Sequence, residues 1–106
     1  MRTASWALAL VGLLLSCSRG EEAARMHRID MTAMAYAPAE LTVAPGSTVV
    51  WTNRDIVPHS VTAVGRQFDS GSVAPAAEWS LTVKERGRLP YTCLFHPGMK
   101  ATLVVQ

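Results

Sequence analysis

The chain has 106 residues and a formal net charge of +2, from ten lysines and arginines against eight acidic residues. That length accommodates one domain, and a near-neutral balance without a basic run excludes nucleic acid as an electrostatic partner. Hydrophobic residues make up 49% of the chain, a fraction raised by its first stretch, which does not belong to the folded domain.

In that first stretch Arg2 precedes an uncharged run from Trp6 to Leu15, "WALALVGLLL". Such a run matches the core of a signal peptide, about 7–15 residues, and falls short of the roughly 20 needed to span a bilayer. Residues 1–17 are therefore read as an export leader, with the bacterial periplasm or its bounding membrane as the destination. Ser16 lies directly before Cys17, and Leu14 lies three before it. That arrangement resembles the lipobox of bacterial lipoproteins, in which cleavage leaves a lipid-modified cysteine that tethers the protein to a membrane. The alternative is an ordinary cleavage site, with Cys17 removed or left as a spare thiol. Residues 18–27 are small and charged, and read as a short tether.

The domain is expected over 28–106, as a succession of short strands. "RIDMTAM" leads to Pro38, "ELTVAPG" ends at Gly46, and "STVVWTN" runs into the polar turn "NRD". "HSVTAV" ends at Gly65, "EWSLTV" ends at "KERG", and "LPYTC" and "ATLVVQ" follow. Trp79, Leu81 and Val83 alternate with Glu78, Ser80 and Thr82, giving one buried and one wet face. β-Branched and aromatic residues fill the runs, with Gly, Pro, Asn and Asp between them. Strands at this spacing predict an all-β, two-sheet antiparallel sandwich. The irregular stretch 65–78, "GRQFDSGSVAPAAE", is expected to cross between the sheets.

Chemistry concentrates in "YTCLFHPGMK", residues 91–100. Cys93, His96 and Met99 fall three apart, but Pro97 and Gly98 break a helix and make a turn. A tight loop lets all three side chains converge on one metal ion. A lone thiol in an oxidising compartment is protected by metal ligation. His59 stands in "TNRDIVPHSVT" behind Pro58, 34 residues before Cys93, and a sandwich can bring the two together. His27 is read as a surface residue. Two histidines, a thiolate and a thioether select copper, as His₂Cys with a weak axial Met. Zinc has little use for a thioether, and iron–sulfur clusters need more than one cysteine.

These residues resemble the cupredoxins, the blue copper proteins, and within them the plastocyanin/amicyanin-like group with a short C-x-x-H-x-x-M loop. The similarity lies in "WTNRDIVPHSV" (51–61) and "YTCLFHPGM" (91–99), supported by "LTVAPGSTVVW", "FDSG" and "MKATLVV". It implies a Greek-key β-sandwich of seven to eight strands. His59, Cys93 and His96 would be equatorial ligands and Met99 the axial one, holding one Cu(I)/Cu(II) ion per chain. Ser60 departs from the family's frequent Asn, whose side chain ties the ligand loops together, and Ala101 from a frequent Gly. The first departure is expected to loosen the surroundings of the ligands.

The expected function is one-electron transport, without enzymatic activity, by a monomer. Redox partners of the cytochrome or dehydrogenase type would dock on an apolar patch around His96. Leu94, Phe95, Pro97 and Gly98 would form that patch, extended by Ile56, Val57 and Pro58. The competing reading is a periplasmic copper-handling protein with a second, Cu(I)-type site made of Met26, Met31, Met34 and His27.

Overall fold

A computed structural model describes residues 25–106 and, before them, only residues 3, 4 and 12. The expected leader, Cys17 and most of the tether lie outside the described residues. Eight strands follow: β1 (Met26–Thr32), β2 (Ala35–Ala37), β3 (Glu40–Val43), β4 (Thr48–Asn53), β5 (Thr62–Ala63), β6 (Glu78–Thr82), β7 (Gly87–Thr92) and β8 (Lys100–Val105). They form two four-stranded sheets, ordered β2-β1-β4-β6 and β3-β8-β7-β5. The molecule is the expected all-β sandwich. The 65–78 stretch carries the chain from β5 in one sheet to β6 in the other.

Each sheet contains one parallel pair, β1 with β4 and β3 with β8, so the pairing is not purely antiparallel. Burial patterns set which face of a strand points inward but do not name its neighbour. The chain passes from sheet to sheet between β1 and β4, which lets two strands of equal direction lie side by side.

β2 is absent from the sequence expectation for a physical reason. It closes a hairpin with β1 through Ala33 and Met34, at φ of 52° and 59°. A two-residue hairpin turn with left-handed residues ordinarily announces itself by Asn or Gly. Here the turn is held from outside. The Asp55 carboxylate accepts the backbone N–H groups of Ala33 (2.8 Å) and Met34 (3.0 Å).

Between the sheets lie Ile29, Met31, Val49, Trp51, Val61, Tyr91, Leu103 and Val105, all essentially removed from water. Trp51 sits at the centre, with ring centroids 5.4 Å from Trp79, 5.6 Å from Tyr91 and 6.3 Å from Phe68. Its indole N–H donates to the Tyr91 hydroxyl at 3.2 Å. Trp79 and Leu81 on β6 cover this core as the alternation requires, and Val83 is buried beyond them. Pro90 lies inside β7, where its carbonyl accepts from Val64 N–H at 2.9 Å. β5 pairs with Tyr91 and Thr92 only, so the missing proline N–H faces a side where the ladder has ended.

Candidate metal centre

Two chain segments meet at one end of the sandwich. β4 runs out at Asn53, and the loop after it delivers His59, while β7 runs out at Thr92 and delivers Cys93. Asn53 is fully buried and fixes the first loop from within. Its Nδ2 donates to the carbonyls of Val57 (2.9 Å) and Val73 (3.0 Å), and its Oδ1 accepts from Asp55 N–H (2.9 Å). His59 then forms a two-way backbone bridge with Val73, at 3.1 and 2.7 Å.

The second segment is the tight loop that Pro97 and Gly98 predict. Met99 N–H donates to His96 carbonyl (2.9 Å), and Cys93 N–H donates to Met99 carbonyl (3.2 Å). The Thr92 hydroxyl donates to the same Met99 carbonyl at 2.9 Å. These bonds bend 93–99 into a loop in which every third residue faces inward. Cys93 and Met99 are buried and His96 is half-buried, while Leu94, Phe95, Pro97 and Gly98 are exposed.

The structure brings His59, Cys93 and His96 together, with one potential ligand atom from each lying within 4.8 Å of the others. Cys93 Sγ is 3.9 Å from His59 Nδ1 and 3.6 Å from His96 Nδ1. Metal–nitrogen and metal–sulfur bonds of about 2.0–2.3 Å, set about 120° apart, separate N and S by roughly 3.8 Å. These two distances match, so the donor set fits one metal ion shared by the three side chains. Met99 is buried at the same end and joined through its backbone to both Cys93 and His96. The cluster of His59, Cys93, His96 and Met99 has the composition typical of a type 1 copper site.

The orientation of His59 follows from a residue that sequence reasoning passed over. His59 Nε2 lies 2.7 Å from Asp55 Oδ2. The hydrogen bond from His59, and next the backbone N–H of Met34, hold the Asp55 carboxyl below the usual carboxylate range. An ionised carboxylate only accepts, so Nε2 carries the hydrogen and the Nδ1 lone pair is left facing Cys93. The only sequence signal was an acid four residues before the histidine, inside a turn that polar residues explain equally well.

Asp55 thus satisfies three donors, one on a ligand and two in the left-handed turn. Asp55→Ala is expected to weaken copper binding about 10–100-fold, measured by competition with a chelator of known affinity. A carboxyl with a depressed folded-state pKa binds fewer protons folded than unfolded. Its stabilisation is complete above the ordinary value, near about 3.9, and is lost as the pH falls through the depressed one. The metal-free wild type is therefore expected to lose stability on acidification below about pH 4 more steeply than Asp55→Ala, read by urea unfolding across pH.

Ser60 overturns the expectation of a loosened site. Its hydroxyl accepts Leu94 N–H at 2.9 Å and pairs with the Thr62 hydroxyl at 2.9 Å, while its backbone N–H donates to Cys93 Sγ at 3.3 Å. The short side chain makes the cross-loop tie expected of an asparagine. The Tyr36 hydroxyl donates to Ser60 carbonyl, and burial, with the nearby Cys93 next, pushes that phenol's pKa up.

The second, methionine-based site does not form. Met26 and Met31 sit five residues apart on β1, Met31 pointing into the core, and Met34 is exposed in the turn beyond. His27 is half-buried on β1 opposite Val49, at the far end from Met34. A strand of about 3.3 Å per residue spreads these side chains over more than 20 Å.

Known proteins share this fold. The amicyanin of Paracoccus denitrificans is 35% identical over 88 residues, which cover 74% of this chain and 63% of that protein. The match thus spans a little under two thirds of the relative's length. The solved Cu(I) form of an amicyanin variant superposes with a TM-score of 0.72 at 34% identity, covering 76% of this chain and 82% of the other. A purple cupredoxin from Nitrosopumilus maritimus gives 0.70 at 28% identity, covering 76% and 99%. The family model described as the cupredoxin-like domain matches residues 5–105. With its eight-stranded sandwich and its His/Cys/His cluster beneath the 93–99 loop, the chain belongs to the cupredoxin-like domain family.

Proposed function

We propose that the protein is an exported one-electron carrier whose copper would be held by His59, Cys93, His96 and Met99. The observation that carries this reading is the convergence of two imidazole Nδ1 atoms on one buried thiol, at 3.9 and 3.6 Å. Copper bound there supplies a one-electron couple.

The chain's own residues do the rest. Asp55 and the backbone of Val73 fix His59, and Ser60 fixes both the sulfur and the start of the second loop. Ligands restrained in this way have little room to rearrange when the charge of the site changes. Four protein ligands leave no position for a substrate, unlike a catalytic metal centre. Cys93 gives up its proton when metal binds.

His96 is the ligand that approaches the surface. Around it Leu94, Phe95, Pro97 and Gly98 are exposed, and Ile56 on the opposing loop is 93% exposed. An apolar rim around a half-buried ligand suits the small, short-lived contacts of redox partners, here proteins of the cytochrome or dehydrogenase type. Phe95→Asp is expected to slow electron exchange with such a partner at least tenfold while leaving the visible spectrum unchanged. Stopped-flow mixing with a reduced partner measures the rate. An unchanged rate counts against the docking role, and a bleached spectrum shows Phe95 to be structural. The reading includes residues 1–17 as an export leader of the lipoprotein type, with Cys17 as the lipid attachment point.

A further inference from the structure

The charges of the domain are unevenly committed. Asp30 pairs with Arg54 (2.9 Å), Glu40 with Arg88 (3.2 Å), Glu78 with Arg28 (3.4 Å) and Asp55 with His59 (2.7 Å). Asp69 accepts from the Thr62 hydroxyl and from Gly71 N–H. Among the described residues this leaves Glu85 as the one acid without such a partner, against Arg25, Arg66, Lys84, Arg86 and Lys100.

Four of those five cations share one region. Arg25 lies beside Ser47, since Thr48 N–H donates to Arg25 carbonyl at 3.1 Å, and Ser47 carbonyl accepts Val83 N–H at 2.9 Å. Lys84 and Arg86 belong to the turn that follows Val83, between β6 and β7. Arg66 adjoins Gln67, which lines a shallow groove with Lys84, Arg86 and Arg88. All four are exposed. Counting Glu85 and the C-terminal carboxylate of Gln106, which lies beside Arg25, the region carries two net positive charges. β4 runs from this end, at Thr48, to the metal centre, at Asn53, a distance of roughly 17–20 Å.

We propose that this basic end rests on an anionic phospholipid surface, so that the metal centre and its apolar rim face away from the membrane. Two independent features support that occupant. Lysine and arginine near such a surface each add attraction that falls off within a Debye length. The chain also enters the fold at Arg25, on this same end, eight residues after Cys17. Eight residues reach at most about 26–29 Å, so a lipid on Cys17 would draw this end, and not the opposite one, against the bilayer. A single acyl chain anchors only marginally without a second signal, and a basic patch supplies one.

The test is indifferent to the metal, so its failure is separable from failure of the electron-carrier reading. The mature chain from Ser18 onward, copper-free and carrying neither the apolar leader nor a lipid, is mixed with phosphatidylcholine vesicles with and without one third phosphatidylglycerol. Two net charges predict a partition on the order of 30-fold stronger onto the anionic vesicles at low salt, lost in 0.5 M sodium chloride. Lys84→Gln with Arg86→Gln is expected to reduce the preference at least tenfold, and Lys84→Glu with Arg86→Glu to abolish it. Hydrogen exchange is expected to slow at residues 83–87 and to stay unchanged at 94–98. Equal partition onto both vesicles, an anionic preference that survives charge reversal, or protection at 94–98 instead would each overturn the proposal.

Discussion

Cys93→Ser is expected to abolish the visible colour of the Cu(II)-loaded protein and to cost more than 100-fold in copper affinity, with the β-sheet far-ultraviolet signal unchanged. Losing a residue that merely orients a ligand costs about 10–100-fold, and removing the ligand itself costs more. The thiol ionises when a metal binds, whereas a serine hydroxyl stays protonated. The colour of a His₂Cys centre depends on a thiolate bonded to copper, so an oxygen in that place leaves only a pale, tetragonal Cu(II). Serine preserves the packing. Ser60 N–H, which donates to Cys93 Sγ at 3.3 Å, finds a hydroxyl oxygen in its place. A Cys93→Ser protein that stays intensely coloured would remove the thiolate from the account.

Trp51→Ala carries the largest expected loss of stability. Trp51 is fully buried, in ring contact with Phe68, Trp79 and Tyr91, and bonded to the Tyr91 hydroxyl. Truncating a buried tryptophan costs about 3–5 kcal/mol. A domain of this size has roughly 4–12 kcal/mol in total at about 0.05–0.15 kcal/mol per residue. A quarter or more of the stability disappears, and the metal-free variant is expected to melt well below the wild type. Copper should rescue it in part, because binding only to the folded state adds its own free energy. Urea unfolding with and without copper measures both effects, and a loss below about 1 kcal/mol would show that the aromatic cluster is not the keystone of the core. Burial pushes the Tyr91 phenol up to about 12, so the Trp51–Tyr91 bond joins neutral groups throughout the working pH range.

The site was legible in the sequence to different depths. Cys93, His96 and Met99 announce themselves because Pro97 and Gly98 exclude a helix and leave a loop as the only way to use the spacing. His59 is legible only by association, since an isolated histidine ahead of a strand is ordinarily structural. Asp55 and Asn53 were hidden for one reason. In "TNRD" a polar turn is sufficient explanation for both, and nothing in a linear string says that Asp55 reaches back 22 residues to Ala33. The same long-range bond concealed β2, whose turn lacks the Gly or Asn that local chemistry would demand. Ser60 was misjudged because a shorter side chain was equated with a lost tie, whereas the two loops lie close enough for a hydroxyl. Strand alternation gave the buried face of β6 correctly, but the parallel pairs of β1 with β4 and β3 with β8 depend on chain path, which periodicity does not encode.

The central claim is that this fold holds one copper in a site built for electron transfer. A reductive titration of the copper-loaded domain tests it most directly, with copper content, visible absorption and paramagnetic resonance followed together. The account predicts one copper per chain, an intense colour that disappears on uptake of one electron per copper, and full recovery on reoxidation with the metal retained. A pale Cu(II) adduct with tetragonal resonance parameters, or copper released during the reductive half of the cycle, would contradict it.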